Sequence, residues 1–225
     1  MRLAVDAVVP AHNEAGRIGR VVSALGASPC LRSITVVDDG STDTTATEAE
    51  AAGQARVRVL RLQPNRGKGE AMLAAVQSLP RDGSSVAFFD ADLVGFQPRH
   101  VHKMCALADL GYDMVCGLRD YNAMRNMAQV ALGPIITGER ILRRWVLERL
   151  PLSCWRGYNI EVAMNYTVSH QGGRTALCFL DGVGIVDKLD KTGVVSGLAG
   201  QLKMFAQIAR TRRALEATHG KVCAI

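Results

Sequence analysis

Aromatic residues make up only 5% of this 225-residue chain, and no basic run is interleaved with them. Stacking platforms for single-stranded nucleic acid are therefore not expected, and nucleic acid is set aside as a partner. The six cysteines, Cys30, Cys105, Cys116, Cys154, Cys178 and Cys223, include no CxxC pair. That scatter fits neither a zinc site nor a disulfide frame, so they read as buried free thiols of a reducing cytosol. No apolar run reaches the roughly 18 to 20 residues that a membrane crossing needs. The opening Met1-Arg2-Leu3-Ala4-Val5-Asp6 lacks the layout of a signal peptide. The expected location is cytoplasmic, with peripheral attachment at the inner membrane face left open. No GxGxxG follows the first apolar run, which argues against a nicotinamide dehydrogenase. A nucleotidyltransferase would carry a glycine-rich, arginine-bearing loop there, and residues 10–19 have none.

What is present is enough apolar material, 48% of the chain, for one globular domain with a sizeable core. The formal charge of +6 and a sequence pI near 9.2 favour anionic partners: nucleotides, phosphorylated acceptors or an anionic membrane face. Charge does not choose among them.

Short apolar runs alternate with helical patterns through the first half. Strands are predicted over 4–9, 34–37, 57–62, 86–89 and 114–117. Helices are predicted after Asn13-Glu14, with Ile18, Val21, Val22 and Leu25 at helical spacing, after the cap cluster Ser41-Thr42-Asp43, over 67–79, and over 98–110 with proline in the first turn. Such alternation predicts an α/β fold, a mostly parallel sheet flanked by helices and joined by right-handed crossovers. In the second half, 136–150 and 158–170 look helical and 174–179 looks like another strand. Residues 194–218 form a last helical pattern with Leu198, Leu202, Phe205, Ile208 and Ala209 on one side and Lys203, Arg210, Arg212 and Arg213 adding charge. An amphipathic helix docked on the domain is the first reading, and a membrane-surface helix the second.

Two apolar runs end in acid. Phe88-Phe89-Asp90-Ala91-Asp92 places its carboxylates one residue apart, so an extended chain would turn Asp90 and Asp92 to one face, where they could share a divalent cation. Val36-Val37-Asp38-Asp39-Gly40-Ser41 has the same plan, and Asp39 could accept from a nucleobase ring N–H or a ribose hydroxyl. Aspartates at strand ends also cap turns, and that reading stays open for both. After the first strand, Pro10, Ala11, His12, Asn13 and Glu14 occupy a strand-to-helix turn that could grip a base or ribose. Arg66-Gly67-Lys68-Gly69 puts two cations at a helix start, where free backbone N–H groups and the helix dipole favour an anion.

These four segments, in order and spacing, resemble the motifs of family 2 glycosyltransferases of the A-type fold. The resemblance covers about residues 1–120 and extends more loosely to about residue 190 through Gly117-Leu118-Arg119, Thr137-Gly138-Glu139-Arg140 and Gly157-Tyr158-Asn159-Ile160-Glu161. Within the family it is similar to polyprenyl-phosphate sugar synthases and glucosyl-phosphoglycerate synthases. It implies a Rossmann-like half over 1–120 that binds the nucleotide sugar, a smaller acceptor half over 121–190 and a C-terminal amphipathic helix over 191–225, in one globular unit. It implies Pro10, Ala11, His12, Glu14, Asp39, Lys68, Asp90 and Ala91 against a UDP- or GDP-linked sugar. Mg2+ or Mn2+ would sit on Asp92, with Asp90 shared between metal and ribose. Arg119 and Tyr158 would meet a phosphorylated acceptor, and Glu161 would orient its hydroxyl or take its proton. Inverting transfer from the nucleoside-diphosphate sugar to a phosphorylated or lipid-phosphate acceptor is the activity implied, and a homodimer is allowed for. A phosphoglycerate acceptor and a non-catalytic nucleotide-sugar-binding protein are the alternatives. Two positions depart from the family pattern: relatives carry a metal-binding histidine where Gly182 to Lys188 stands, with Asp187 the nearest substitute, and His12 replaces an aromatic residue after the first proline.

Overall fold

The computed structural model describes residues 4–53, 55–82, 84–120, 136–155 and 159–185. Tyr158, Asp187, Cys223 and the expected helix over 194–218 lie outside the described residues. Nine strands occur among those described: β1 Val5–Ala11, β2 Leu31–Asp39, β3 Val57–Leu62, β4 Ser85–Phe88, β5 Leu93–Val94, β6 Met114–Arg119, β7 Arg140–Arg143, β8 Thr175–Leu180 and β9 Gly184–Ile185. The helices are α1 Ile18–Gly26, α2 Thr45–Ala52, α3 Lys68–Ser78, α4 Pro98–Asp109, α5 Arg144–Glu148 and α6 Asn159–His170.

Seven strands form one sheet in the order β3-β2-β1-β4-β7-β6-β8, all pairings parallel except those of β7. The chain runs β1 to β2 to β3 in one direction, then returns to place β4 on the other side of β1. That reversal leaves a crevice beyond the carboxyl ends of β1 and β4, where open α/β sheets bind ligands.

β1 is buried along its whole length because it is central. Val5, Ala7, Val9 and Ala11 face one apolar layer with α1 and α4, while Val8, Val37, Val86 and Phe88 face a second layer with α3 and α6. Alternation along the strands divides the two layers. α1 buries Ile18, Val21, Val22 and Leu25 as its spacing predicts, each worth on the order of 2 kcal/mol when removed from water. At the edge, β3 exposes Arg58 and Arg61, charges that discourage pairing with another chain.

Two expectations are corrected. Residues 136–150 do not form one helix: they hold β7 and then the five-residue α5. Ile141 faces one apolar layer and Leu142 the other, and pairing with both β4 and β6 outweighs helical spacing. Secondly, β4 stops at Phe88, so Asp90 and Asp92 lie in the turn beyond it and strand alternation does not align them. A short ribbon, β5 against β9, follows this turn. It packs so closely that a Cβ on Gly95 would lie 2.2 Å from the carbonyl oxygen of Gly182.

Candidate active site

The crevice is built from strand ends and two helix starts. β1 leads into Asn13, which takes a left-handed φ of 55°. Its side-chain oxygen accepts from the Thr42 amide at 2.9 Å, and its own amide donates to the Ser41 hydroxyl at 2.9 Å. His12 Nδ1 lies 2.9 Å from the carbonyl oxygen of Asp39. The loops after β1 and β2 are thereby stitched into one wall, and the strained Asn13 backbone is held by that stitching.

Asp39 is buried, and its two carboxylate oxygens accept from the amides of Arg66 and Gly67 at 2.8 and 2.7 Å. The amides of Arg66 and Gly67 thus meet the protein's own carboxylate, and Asp39 fixes the approach to α3. Gly40, with φ of 70°, makes that approach possible, since a Cβ there would lie 2.7 Å from the Asn65 nitrogen. Asp38 accepts from the Ser41 amide at 3.1 Å and serves as a turn cap.

Lys68, at the start of α3, points into the crevice. Its ammonium lies 2.7 Å from Asp90 Oδ1 and 3.5 Å from Glu161 Oε1, the latter in the first turn of α6. Arg119, at the end of β6, donates from Nη2 to Asp90 Oδ2 at 3.1 Å and from Nε to Glu139 Oε2 at 2.9 Å. Because β7 is antiparallel, its start lies at the carboxyl edge, which is how Thr137, Gly138 and Glu139 reach the crevice. Gly138 presses on Asp90: a Cβ there would lie 2.4 Å from both carboxylate oxygens.

Charges in this cluster shift one another. Burial alone would push the Asp90 carboxyl up, but Lys68 and Arg119 outweigh it and hold the group below its ordinary value. For Lys68, burial works against the ammonium, while Asp90 and Glu161 prevail and raise its pKa. Burial, followed by the charge of Asp90, pushes Glu139 up to about 7 against the pull of Arg119. Two buried oxygens, Glu139 Oε1 and Glu161 Oε2, accept no hydrogen bond from the described residues.

Asp92 differs from its neighbour. It is half-buried in the turn, and among the described residues it has no hydrogen-bond or ion-pair partner. The side chains of Ala11 and Ala91 are buried in the apolar layer, so any contact of these residues with a ligand would be through their backbone. Pro10 is buried within β1, and the Glu14 carboxylate accepts from Arg17 Nε at 2.6 Å. Glu139, Thr137 and Gly138 were not expected as site residues. Only their place in the Thr137-to-Arg140 segment pointed toward them.

Among the described residues, no three His, Cys, Asp or Glu side chains gather as a metal cage. The sequence model of glycosyl transferase family 2 matches residues 6–150. The chain belongs to that family. It is similar to a polyprenol monophosphomannose synthase of Mycolicibacterium smegmatis, 28% identical over 73% of this chain and 72% of that one. It is 34% identical to a glucosyl-3-phosphoglycerate synthase of the same organism over 44% of this chain and 34% of that one. The chain spans half or less of the length of three curated relatives it matches, at 21%, 34% and 50%. The fold is that of the glucosyl-3-phosphoglycerate synthase of Mycobacterium tuberculosis solved with Mn2+, UDP and glucosyl-3-phosphoglycerate. That comparison has a TM-score of 0.74 and 23% identity over 93% of this chain and 80% of that one.

Proposed function

We propose that the chain transfers a hexose from a nucleoside-diphosphate sugar, UDP- or GDP-linked, to a phosphorylated acceptor, with inversion at the anomeric carbon. The observation that carries the reading is a partnerless Asp92 at the topological crevice, beside an Asp90 clamped between Lys68 and Arg119. Support comes from family membership and from the solved relative, whose crystals hold Mn2+ and UDP.

A hard divalent cation fits the donor set. Mg2+ and Mn2+ take oxygen ligands and bind through one or two carboxylates, with phosphates and water filling the remaining positions. A cage of three side chains is not needed for such a site. Asp92 would be the first ligand and Asp90 a shared one. When bound, the cation neutralises charge on the departing diphosphate.

The chain's own residues account for the rest. Asp39 holds the Arg66-Gly67 loop so that Lys68 reaches the diphosphate, and the wall formed by His12, Asn13 and Ser41 takes the nucleoside. Arg119 receives the acceptor phosphate, and Glu161 orients the attacking oxygen. A lipid phosphate is already ionised and needs no strong base, whereas a hydroxyl acceptor uses Glu161. Fixing both reactants in line supplies most of the acceleration.

The test is calorimetry of UDP-glucose and GDP-mannose with and without Mn2+, followed by incubation of the binding donor with 3-phosphoglycerate or a polyprenyl phosphate. One donor binds only with metal, and product forms with inverted anomeric configuration by NMR. Donor binding without any turnover would favour the non-catalytic alternative. Absence of binding to either donor in both conditions would contradict the proposal. Peripheral membrane contact is proposed for the basic C-terminal segment, and flotation with vesicles of anionic lipid tests it.

A further inference from the structure

Glu139 has no part in the reading above, yet it is the most deeply enclosed charge of the cluster, with no exposed surface. Its Oε2 lies 2.9 Å from Arg119 Nε and 2.7 Å from the Thr137 hydroxyl. Its backbone carbonyl accepts from the Gly117 amide at 2.8 Å, which extends the pairing of β6 and β7 to the crevice. Contact there is close: a Cβ on Gly117 would lie 2.9 Å from Glu139 Cβ and 2.8 Å from Leu180 Cδ1. A neutral side chain could fill this space without burying a charge. What the carboxylate adds is a fixed acceptor for the Nε edge of a guanidinium whose Nη2 reaches Asp90 at 3.1 Å. A planar fork held at two edges has little freedom to rotate.

We propose that Glu139 is a positioning residue that locks the Arg119 guanidinium against Asp90, setting the orientation in which the crevice receives the acceptor's phosphate. The catalytic consequence rests on the transferase reading; the geometric claim does not.

Two variants and two readouts test it. Glu139→Gln keeps the shape and an oxygen toward Nε, whereas Glu139→Ala removes both. In solution NMR, the Arg119 Nε–H signal is identified by its loss in Arg119→Lys. Its exchange with water should be roughly tenfold faster in Glu139→Ala than in the wild type and intermediate in Glu139→Gln. In transfer assays Glu139→Gln should raise the acceptor KM on the order of tenfold to 100-fold while the donor KM changes less than about threefold. Introduced into Arg119→Ala, Glu139→Gln should cause no further loss, because its effect runs through Arg119. Equal losses in both backgrounds, or wild-type exchange of Nε–H in Glu139→Gln, would overturn the proposal. If Glu139→Ala does not fold, the Gln variant carries both readouts. A wild-type protein that transfers nothing defeats the proposed function alone, and the exchange measurement still decides Glu139.

Discussion

The two edges of the sheet each carry a buried acid beside an arginine, and they differ in how completely the acid is satisfied. At the amino edge, Asp6 at the start of β1 accepts from Arg32 Nε at 3.0 Å, from Arg32 Nη2, and from the hydroxyls of Ser33 and Ser84 at 2.5 and 3.2 Å. Both its oxygens are fully engaged. At the carboxyl edge, Asp90, Glu139 and Glu161 share Lys68 and Arg119, two buried oxygens go without a donor, and Asp92 has no partner among the described residues. A satisfied cluster has finished its work when the chain folds. An incompletely satisfied one, at the crevice of a doubly wound sheet, is where the proposed function places the incoming ligand.

Substitutions separate the two edges. Asp92→Asn should reduce transfer on the order of 1000-fold or more and leave the melting temperature unchanged, because the side chain has no structural partner to lose. Gly138→Ala comes next. The new methyl displaces the Asp90 carboxylate, and activity should fall on the order of 100-fold in steady-state assays. Asp6→Ala should do the reverse, costing about 3 kcal/mol in urea unfolding with kcat preserved. That figure lies at the low end for a broken buried pair because the Arg32 side chain is 35% exposed and regains water. Loss of kcat in Asp6→Ala, or of stability in Asp92→Asn, would dissolve the distinction.

The smallest effect concerns His100, at the start of α4 beside the carboxyl end of β8. Its Nδ1 accepts from the Gln97 amide at 3.0 Å, and Nε2 lies 3.2 Å from the carbonyl oxygen of Asp181. Arg99, Lys103 and the Asp181 carboxylate are the charges around it, and the Phe96 ring lies beside it. Burial, and then Arg99, lower its pKa. The unfolded chain therefore takes up a proton near pH 6.5 that the folded chain resists, so stability is full above that pH and declines as the pH falls below it. Melting scans between about pH 7 and pH 5 should show a decline that His100→Gln lessens.

Much of the first half was legible because its physics is local. Apolar runs of strand length between helical patterns gave β3 with its observed bounds, α3 and α4 to within a residue, and the buried face of α1. The acids at the ends of β2 and β4 marked the crevice, since a parallel arrangement puts such ends on one edge. What failed depended on long-range pairing. Arg140–Arg143 reads as helix among its arginines and leucines, and only the gap between β4 and β6 makes it a strand. Consequently the entry of Glu139 into the site was hidden as well. The hold of Asp39 on the Arg66-Gly67 loop was hidden too, a contact 27 residues apart in sequence that no local pattern reports. Asp90 and Asp92 were aligned by strand alternation, whereas a turn carries them and gives one a clamp and the other none.

Crystals grown with Mn2+ and the preferred nucleoside diphosphate test the central claim most directly, through the anomalous signal of manganese. The account predicts a peak within ligand distance of the Asp92 carboxylate, bridged to the diphosphate, with Lys68 and Arg119 on the same side. A nucleotide bound with manganese elsewhere, leaving Asp92 without a ligand, would contradict it.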